Sequence, residues 1–217
     1  MGKSINLHNY IKMRKDLLLT KPTKEEFIHN IIFAFYDLFK TKISKESACL
    51  IYAKFALETG YGKNCYNYNL GNIKENNFKN HYVCLHNVWE IENGVKVVYQ
   101  PPHPQTWFRC YENWHDGMKD YLNFIYNNYK PAWEQLMKGE PEQYVRELKK
   151  RGYFTGNLQE YILAVCSIFR DAMKNNNYDT SMSELKENEE LFEKLMWKNC
   201  KPNECVSLTE FLQMLES

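Results

Sequence analysis

Glu58 closes one of the most apolar stretches of the chain. Nine of the ten residues from Ala48 to Leu57 are apolar, Lys54 being the exception. A carboxyl group at the end of such a helix meets two effects that disfavour its charge: desolvation by apolar neighbours and the negative end of the helix dipole. Both raise its pKa, and a carboxylic acid that stays protonated near neutral pH donates its proton to a leaving oxygen. The run Thr59-Gly60-Tyr61-Gly62 then lets the backbone turn away and leaves room for a bulky substrate. The competing reading is that Glu58 is only the polar last residue of its helix. A second pair of carboxylates lies on a β-pattern. Val83, Leu85, Trp89 and Ile91 alternate with Cys84, His86, Val88 and Glu90, and Asn93-Gly94 is a strong hairpin signal. A two-residue turn there pairs Glu92 with Val95 and Glu90 with Val97, and it puts residues 86, 88, 90 and 92 on one face. Glu92 sits beside the turn and is read as solvated, so Glu90 is the candidate second acid. A solvated strand face is the alternative for both.

These groups must be held by a mainly helical frame. Thr23-Lys24-Glu25-Glu26 is a capping box, and Phe27, Ile31, Phe35 and Leu38 recur at helical spacing to about Lys40. Ser44 is the N-cap of a second helix over about 45–58, apolar nearly all round and therefore buried. Residues 61–80 are rich in Asn, Gly and Tyr and read as a loop, and a two-stranded ribbon is predicted over about 82–99. After the prolines at 101, 102 and 104, helices are expected at Trp114–Tyr129, Pro131–Lys138, Pro141–Arg151 and Leu158–Lys174. The fold class is mainly α with one β-hairpin, an α+β chain with helices around a groove and a hairpin lobe. The expected organisation is an N-terminal extension (1–22), a main domain (23–175), a linker of low hydrophobicity (176–190) and a small helical C-terminal tail (191–217), with a capping box at Ser207–Glu210.

The net charge is +1, which argues against broad electrostatic attraction to nucleic acid or anionic membrane. The longest apolar run near the N-terminus, Ile31–Tyr36, is too short to span a bilayer, so no membrane insertion is expected. Residues 1–20 lack the apolar core of a signal peptide, which predicts synthesis as a cytoplasmic chain. The 7 cysteines show no CxxC spacing, and His81, His86, His103 and His115 form no spaced ligand set, so neither a metal nor another cofactor is expected. Cys49 and Cys166 read as buried free thiols, while Cys200 and Cys205 are close enough in sequence to pair or share a metal. Aromatic residues make up 15% of the chain, a share that fills cores and also lines sugar-binding grooves; for Trp107, Trp114 and Trp133 core packing is the favoured reading. Arg109 and Asp120 read as structural.

The order of motifs narrows the choice. Leu57-Glu58-Thr59-Gly60-Tyr61-Gly62, then Asn69-Leu70-Gly71-Asn72-Ile73-Lys74, resembles the glucosaminidase-type peptidoglycan hydrolases of the lysozyme superfamily, whose pattern is Glu-Ser-Gly-Trp/Tyr-Gly followed by Asn-Leu-Phe-Gly-Ile-Lys. The resemblance continues through the Glu-bearing hairpin, through Phe108-Arg109-Cys110-Tyr111 and the helix after it, and through Gly152-Tyr153-Phe154-Thr155, spanning roughly residues 27–174. It implies a lysozyme-like fold and cleavage of β-1,4 bonds in peptidoglycan. Glu58 stands at the family's general-acid position, Glu90 at that of the hairpin acid and Tyr153 at the tyrosine of the Gly-Tyr-x-Thr motif. Two flanks depart: Val88-Trp89 precedes Glu90 where the family has Thr or Ser before the acid, and Phe154 replaces a small residue. Candidate substrate contacts are Tyr61, Tyr66, Asn67, Tyr68, Asn69, Glu92 and Thr155; for Tyr66, Asn67, Tyr68 and Asn69 ordinary loop chemistry is the equal alternative. The expected partner is the peptidoglycan glycan strand. A wall hydrolase without a signal peptide suggests a phage lysin or a virion-associated lysozyme, with the C-terminal tail as an attachment to other virion or tail proteins. A lytic transglycosylase, and a glycan-binding virion protein that has lost turnover, remain the alternatives.

Overall fold

The computed structural model describes residues 14–75, 81–92 and 94–199. Among them are seven α-helices: α1 (Lys24–Phe39), α2 (Lys45–Thr59), α3 (Trp114–Asn128), α4 (Lys130–Met137), α5 (Pro141–Lys150), α6 (Leu158–Lys174) and α7 (Tyr178–Asn199). Four short strands, β1 (Tyr82–Cys84), β2 (Val88–Glu92), β3 (Val95–Tyr99) and β4 (Trp107–Arg109), form two separate two-stranded antiparallel sheets, β1 with β4 and β2 with β3. This is the expected mainly helical, lysozyme-like α+β class.

The capping box at the start of α1 forms as expected: Glu26 N donates to Thr23 Oγ1 at 3.1 Å and Thr23 N donates to Glu26 Oε2 at 2.7 Å. Helix α2 is the central rod. Every residue from Ser47 to Ala56 is buried, because α1, α4 and α6 pack around it. Its start is capped by Ser44 and its end is bolted down twice. Thr59 Oγ1 donates to Phe55 O at 2.7 Å and accepts from Gly62 N at 2.9 Å, while Gly60 takes the left-handed conformation that ends the helix at low cost. Glu58 is therefore carried on a fixed backbone.

Two expectations change. The ribbon predicted over 82–99 is split: residues 82–84 pair with β4, and only β2 and β3 form the hairpin. The alternating pattern runs unbroken across this point, but Asn87 at φ +55° turns the chain out of the sheet just before Val88. Within the hairpin the register is as predicted, Glu92 opposite Val95 and Glu90 opposite Val97; Asn93 lies outside the described residues. The stretch read as a linker, 176–190, is not one. Its larger part belongs to α7, where Ser181, Met182 and Leu185 are buried and Tyr178 Oη donates to Ile43 O at 2.5 Å. Tyr178, Met182 and Leu185 recur at helical spacing, a narrow apolar stripe that the low average hydrophobicity hides. The described end of the N-terminal extension is also tied to the domain: Lys15 N donates to Tyr82 O and Thr20 N to Cys65 O, each at 2.9 Å, and Thr20 is buried. Cys200, Cys205 and the capping box at 207–210 lie outside the described residues.

Candidate active site

A groove of about 1020 Å³ runs between the helical body and the hairpin. Glu58 lines one wall together with Tyr129 and Tyr153; Glu90, Trp89 and His86 line the hairpin side. Glu58 also borders a second hollow of about 430 Å³ beside α6, formed with Asn157, Glu160 and Tyr161. The carboxylate thus stands where two depressions meet. That arrangement suits a bond in the middle of a chain-like substrate.

The electrostatics of Glu58 overturn the expectation of a raised pKa. Burial does push its carboxyl up, but the Lys54 ammonium 2.8 Å from Oε1 and a hydrogen bond from Tyr161 Oη pull it down, and the net direction is below the ordinary glutamate value. Lys54 is one turn earlier on α2, and its side chain is 1% exposed against 25% for Glu58. Its ammonium lies 4.0 Å from the centre of the Tyr153 ring. Burial disfavours the ammonium, yet the carboxylate beside it raises the Lys54 pKa above its usual value. The resting pair is therefore ionic. Both hydrogen bonds to Glu58 fall on Oε1, so Oε2 is the oxygen left for a bound ligand.

Glu90 receives a hydrogen bond from Lys74, which also donates to Gln105, and its side chain is 43% exposed. Tyr153 lines the groove, its ring wedged edge-on against Tyr129 at 5.1 Å, and burial and the nearby Glu58 charge hold its hydroxyl protonated far above neutral pH.

The other candidates divide. Tyr66 lines the groove. Asn67 does not contact it: its Oδ1 accepts from Leu18 N and its Nδ2 donates to Asp16 O, both at 2.9 Å, which holds the N-terminal strap in place. Asn69 is buried, donating to Ile73 O and Arg109 O and accepting from Ile73 N, a clamp on loop backbone rather than a sugar ligand. Tyr68 packs edge-on against Trp114 at 5.0 Å, and its carbonyl comes so close to α3 that a Cβ on Gly117 would meet it at 2.1 Å. Tyr61 is 53% exposed on the turn after α2, outside the groove. Glu92 accepts from Tyr99 Oη on the exposed hairpin, and Thr155 gives its carbonyl to Lys149 Nζ at 2.9 Å; neither lines the groove. These polar loop residues build the scaffold because tight turns need their hydrogen bonds more than a ligand does. Trp107 and Trp133 are core residues, and Arg109 pairs with Asp120 at 2.8 Å, both as read.

Sequence reasoning missed Lys54, Tyr161, Lys74 and Trp89. Lys54 had a signal: it is the charged interruption of the apolar run, four residues before Glu58, the spacing of a helical ion pair. Trp89 is 55% exposed and lines the groove, a position its strand pattern did not reveal. Among the described residues no group of three or more His, Cys, Asp or Glu is placed to hold a metal, and no helix is long and apolar enough to cross a membrane.

A carboxylate at the end of a buried helix faces a groove lined on its other side by a Glu-bearing hairpin, an arrangement suited to glycosidase chemistry, on a lysozyme-like fold. Comparison with known proteins gives the family. Residues 41–191 match the glucosaminidase model, described as mannosyl-glycoprotein endo-beta-N-acetylglucosaminidase, and the chain belongs to this family of glycoside hydrolases. Among solved structures, a peptidoglycan hydrolase mutant from Sphingomonas sp. A1 superimposes with a TM-score of 0.51 at 23% identity, covering 73% of this chain and 95% of that one. A C-terminally truncated glycoside hydrolase domain of FlgJ from Salmonella typhimurium gives 0.47 at 20% identity, covering 70% and 99%. The catalytic domain of the autolysin Auto from Listeria monocytogenes gives 0.45 at 21%, covering 84% and 97%. No curated protein sequence matches the chain.

Proposed function

We propose that this protein cleaves the β-1,4 glycosidic bonds between N-acetylglucosamine and N-acetylmuramic acid in peptidoglycan, with Glu58 as general acid. The observation that carries this reading is the placement of Glu58: rigidly held, on the wall of the groove, with Oε2 uncommitted. The Sphingomonas protein that shares the fold is itself a peptidoglycan hydrolase, which supports the substrate class. In the proposed mechanism the glycan strand lies along the groove with the scissile oxygen at Oε2. Protonated Glu58 delivers its proton there as the bond to the anomeric carbon breaks and an oxocarbenium-like state develops. Glu90, facing the groove from the hairpin, stabilises that positive charge or takes a proton from the attacking water; Lys74 fixes its direction. The Tyr153 hydroxyl, kept protonated, supplies a hydrogen bond to the reacting sugar.

Digestion of purified sacculi, borohydride reduction and mass spectrometry of the released muropeptides test this reading. New reducing N-acetylglucosamine or N-acetylmuramic acid ends identify the bond and support hydrolysis. Anhydro-muramic ends would instead make the protein a lytic transglycosylase, and binding without release of any fragment would refute enzymatic cleavage.

A further inference from the structure

The proposed acid has a built-in opponent. Lys54 is the charged residue within the buried run of α2, its side chain 1% exposed, and its ammonium touches Glu58 Oε1 at 2.8 Å. It sits over the Tyr153 ring at 4.0 Å and faces the Tyr161 ring at 5.9 Å. No other use of this lysine is visible: it is too buried to meet a polymer and contacts no backbone oxygen in the described structure. A buried ammonium is costly unless a partner holds it charged, and the partner here is the residue assigned to donate a proton.

We propose that Lys54 is a positioning residue that fixes Glu58 as a carboxylate in the empty groove and so confines turnover to acidic pH, where a proton from solvent reaches Oε2. This rests on the reading of Glu58 as general acid. Among the surrounding groups the Tyr161 hydrogen bond adds to the effect, and the larger pull comes from the Lys54 charge. From α6 come the Tyr161 phenol, hydrogen-bonded to Glu58, and Glu160, whose negative charge works the other way. Tyr153 from the α5–α6 loop, Tyr144 from α5, Tyr121 from α3 and Tyr129 at the α3–α4 junction are all phenols pushed above their ordinary range by burial, so they stay neutral through the pH range of interest. Across the groove, Lys74 and Arg109 are each engaged with carboxylates of their own, Glu90 for the first and Asp120 for the second, and His86 lies on the hairpin side. Lys54 is thus the cation in direct contact with the acid.

The test is the pH dependence of kcat/KM on purified sacculi for the wild type, Lys54→Met and Lys54→Gln. Loss of the ammonium moves the alkaline limb upward, so the pH at which kcat/KM falls to half of its acidic plateau rises by about one unit in either variant. A merely structural lysine would lower activity equally at every pH, and parallel profiles would overturn the proposal. A second measurement needs no Lys54 variant: the ¹³C-carboxyl titration of Glu58 in the native chain, its signal assigned by its absence from Glu58→Gln. A midpoint below the ordinary glutamate range is expected, and one at or above it overturns the proposal. An active Glu58→Gln would sink the general-acid reading itself, whereas an inactive one with unchanged Lys54 profiles sinks this inference alone.

Discussion

Replacing Glu58 by Gln is the obvious way to remove a catalytic proton, yet the structure says it is not a silent change in the fold. The carboxylate balances an ammonium that is 1% exposed, and Gln leaves that charge buried without a counter-ion. Removing one partner of a buried pair costs about 3–5 kcal/mol. Two features reduce the figure here: Glu58 is 25% exposed, so water reaches the pair, and the amide oxygen of Gln still accepts a hydrogen bond from Lys54. The Tyr153 ring also retains its hold on the ammonium. The expected loss is about 2–3 kcal/mol, or about 4–12 °C in Tm for a domain of this size. The assay is thermal unfolding followed by circular dichroism at pH 7, for the wild type, Glu58→Gln, Lys54→Met and the double variant. Removing both charges leaves nothing unpaired, so the double variant is expected to recover about 1–2 kcal/mol of the single-variant loss. The sign with pH is fixed too. The Glu58 carboxyl is held below its ordinary value, so the wild-type advantage is complete above the ordinary glutamate pKa and shrinks as pH falls through the depressed one. A Glu58→Gln chain melting within about 1 °C of the wild type, or a double variant less stable than Glu58→Gln, would refute the reasoning.

Three other outcomes follow from the same contacts. Leu185→Ala, in the fully buried stripe of α7, should cost about 2–4 kcal/mol in urea unfolding, whereas a residue in a true linker would cost nothing measurable. Glu90→Gln should slow sacculus digestion less than Glu58→Gln does, with thermal stability unchanged because its side chain is 43% exposed; an unaltered rate would move the second role to the substrate's own acetamido group. Asp37 is held well below the carboxylate range: burial opposes this, but Lys119 at 2.6 Å, Lys40 at 3.1 Å and His115 at 3.3 Å prevail. Asp37→Asn should therefore destabilise the chain by about 1–2 kcal/mol at pH 7, with the gap closing as pH falls below 4, and a constant gap down to pH 2 would contradict the assignment.

The helices of the main domain were legible because their caps and apolar periods are strong local signals. Thr23, Ser44 and Asn157 each accept a backbone N–H where a helix was expected to begin. The acid-bearing helix was legible for the same reason, since an apolar run around its whole circumference has to be interior. What failed was mostly non-local. Asn67 and Asn69 carry the chemistry of sugar ligands, but their amides are consumed by loop carbonyls and amides that only the fold brings near, including Arg109 O and Asp16 O. The charge state of Glu58 departs from the expectation for a local reason. Desolvation does push its carboxyl up, but Lys54, which interrupts the apolar pattern one helical turn earlier, is also its ion-pair partner. The α7 stripe was lost to averaging over a polar segment.

The most direct test of the central claim is sacculus digestion by Glu58→Gln at a temperature well below its melting point, with circular dichroism confirming that the chain is folded. The account expects wild-type protein to release soluble muropeptides and folded Glu58→Gln to release them at least about 100-fold more slowly. Folded Glu58→Gln working within a few-fold of the wild-type rate would show that the carboxyl at position 58 does not protonate the glycosidic oxygen.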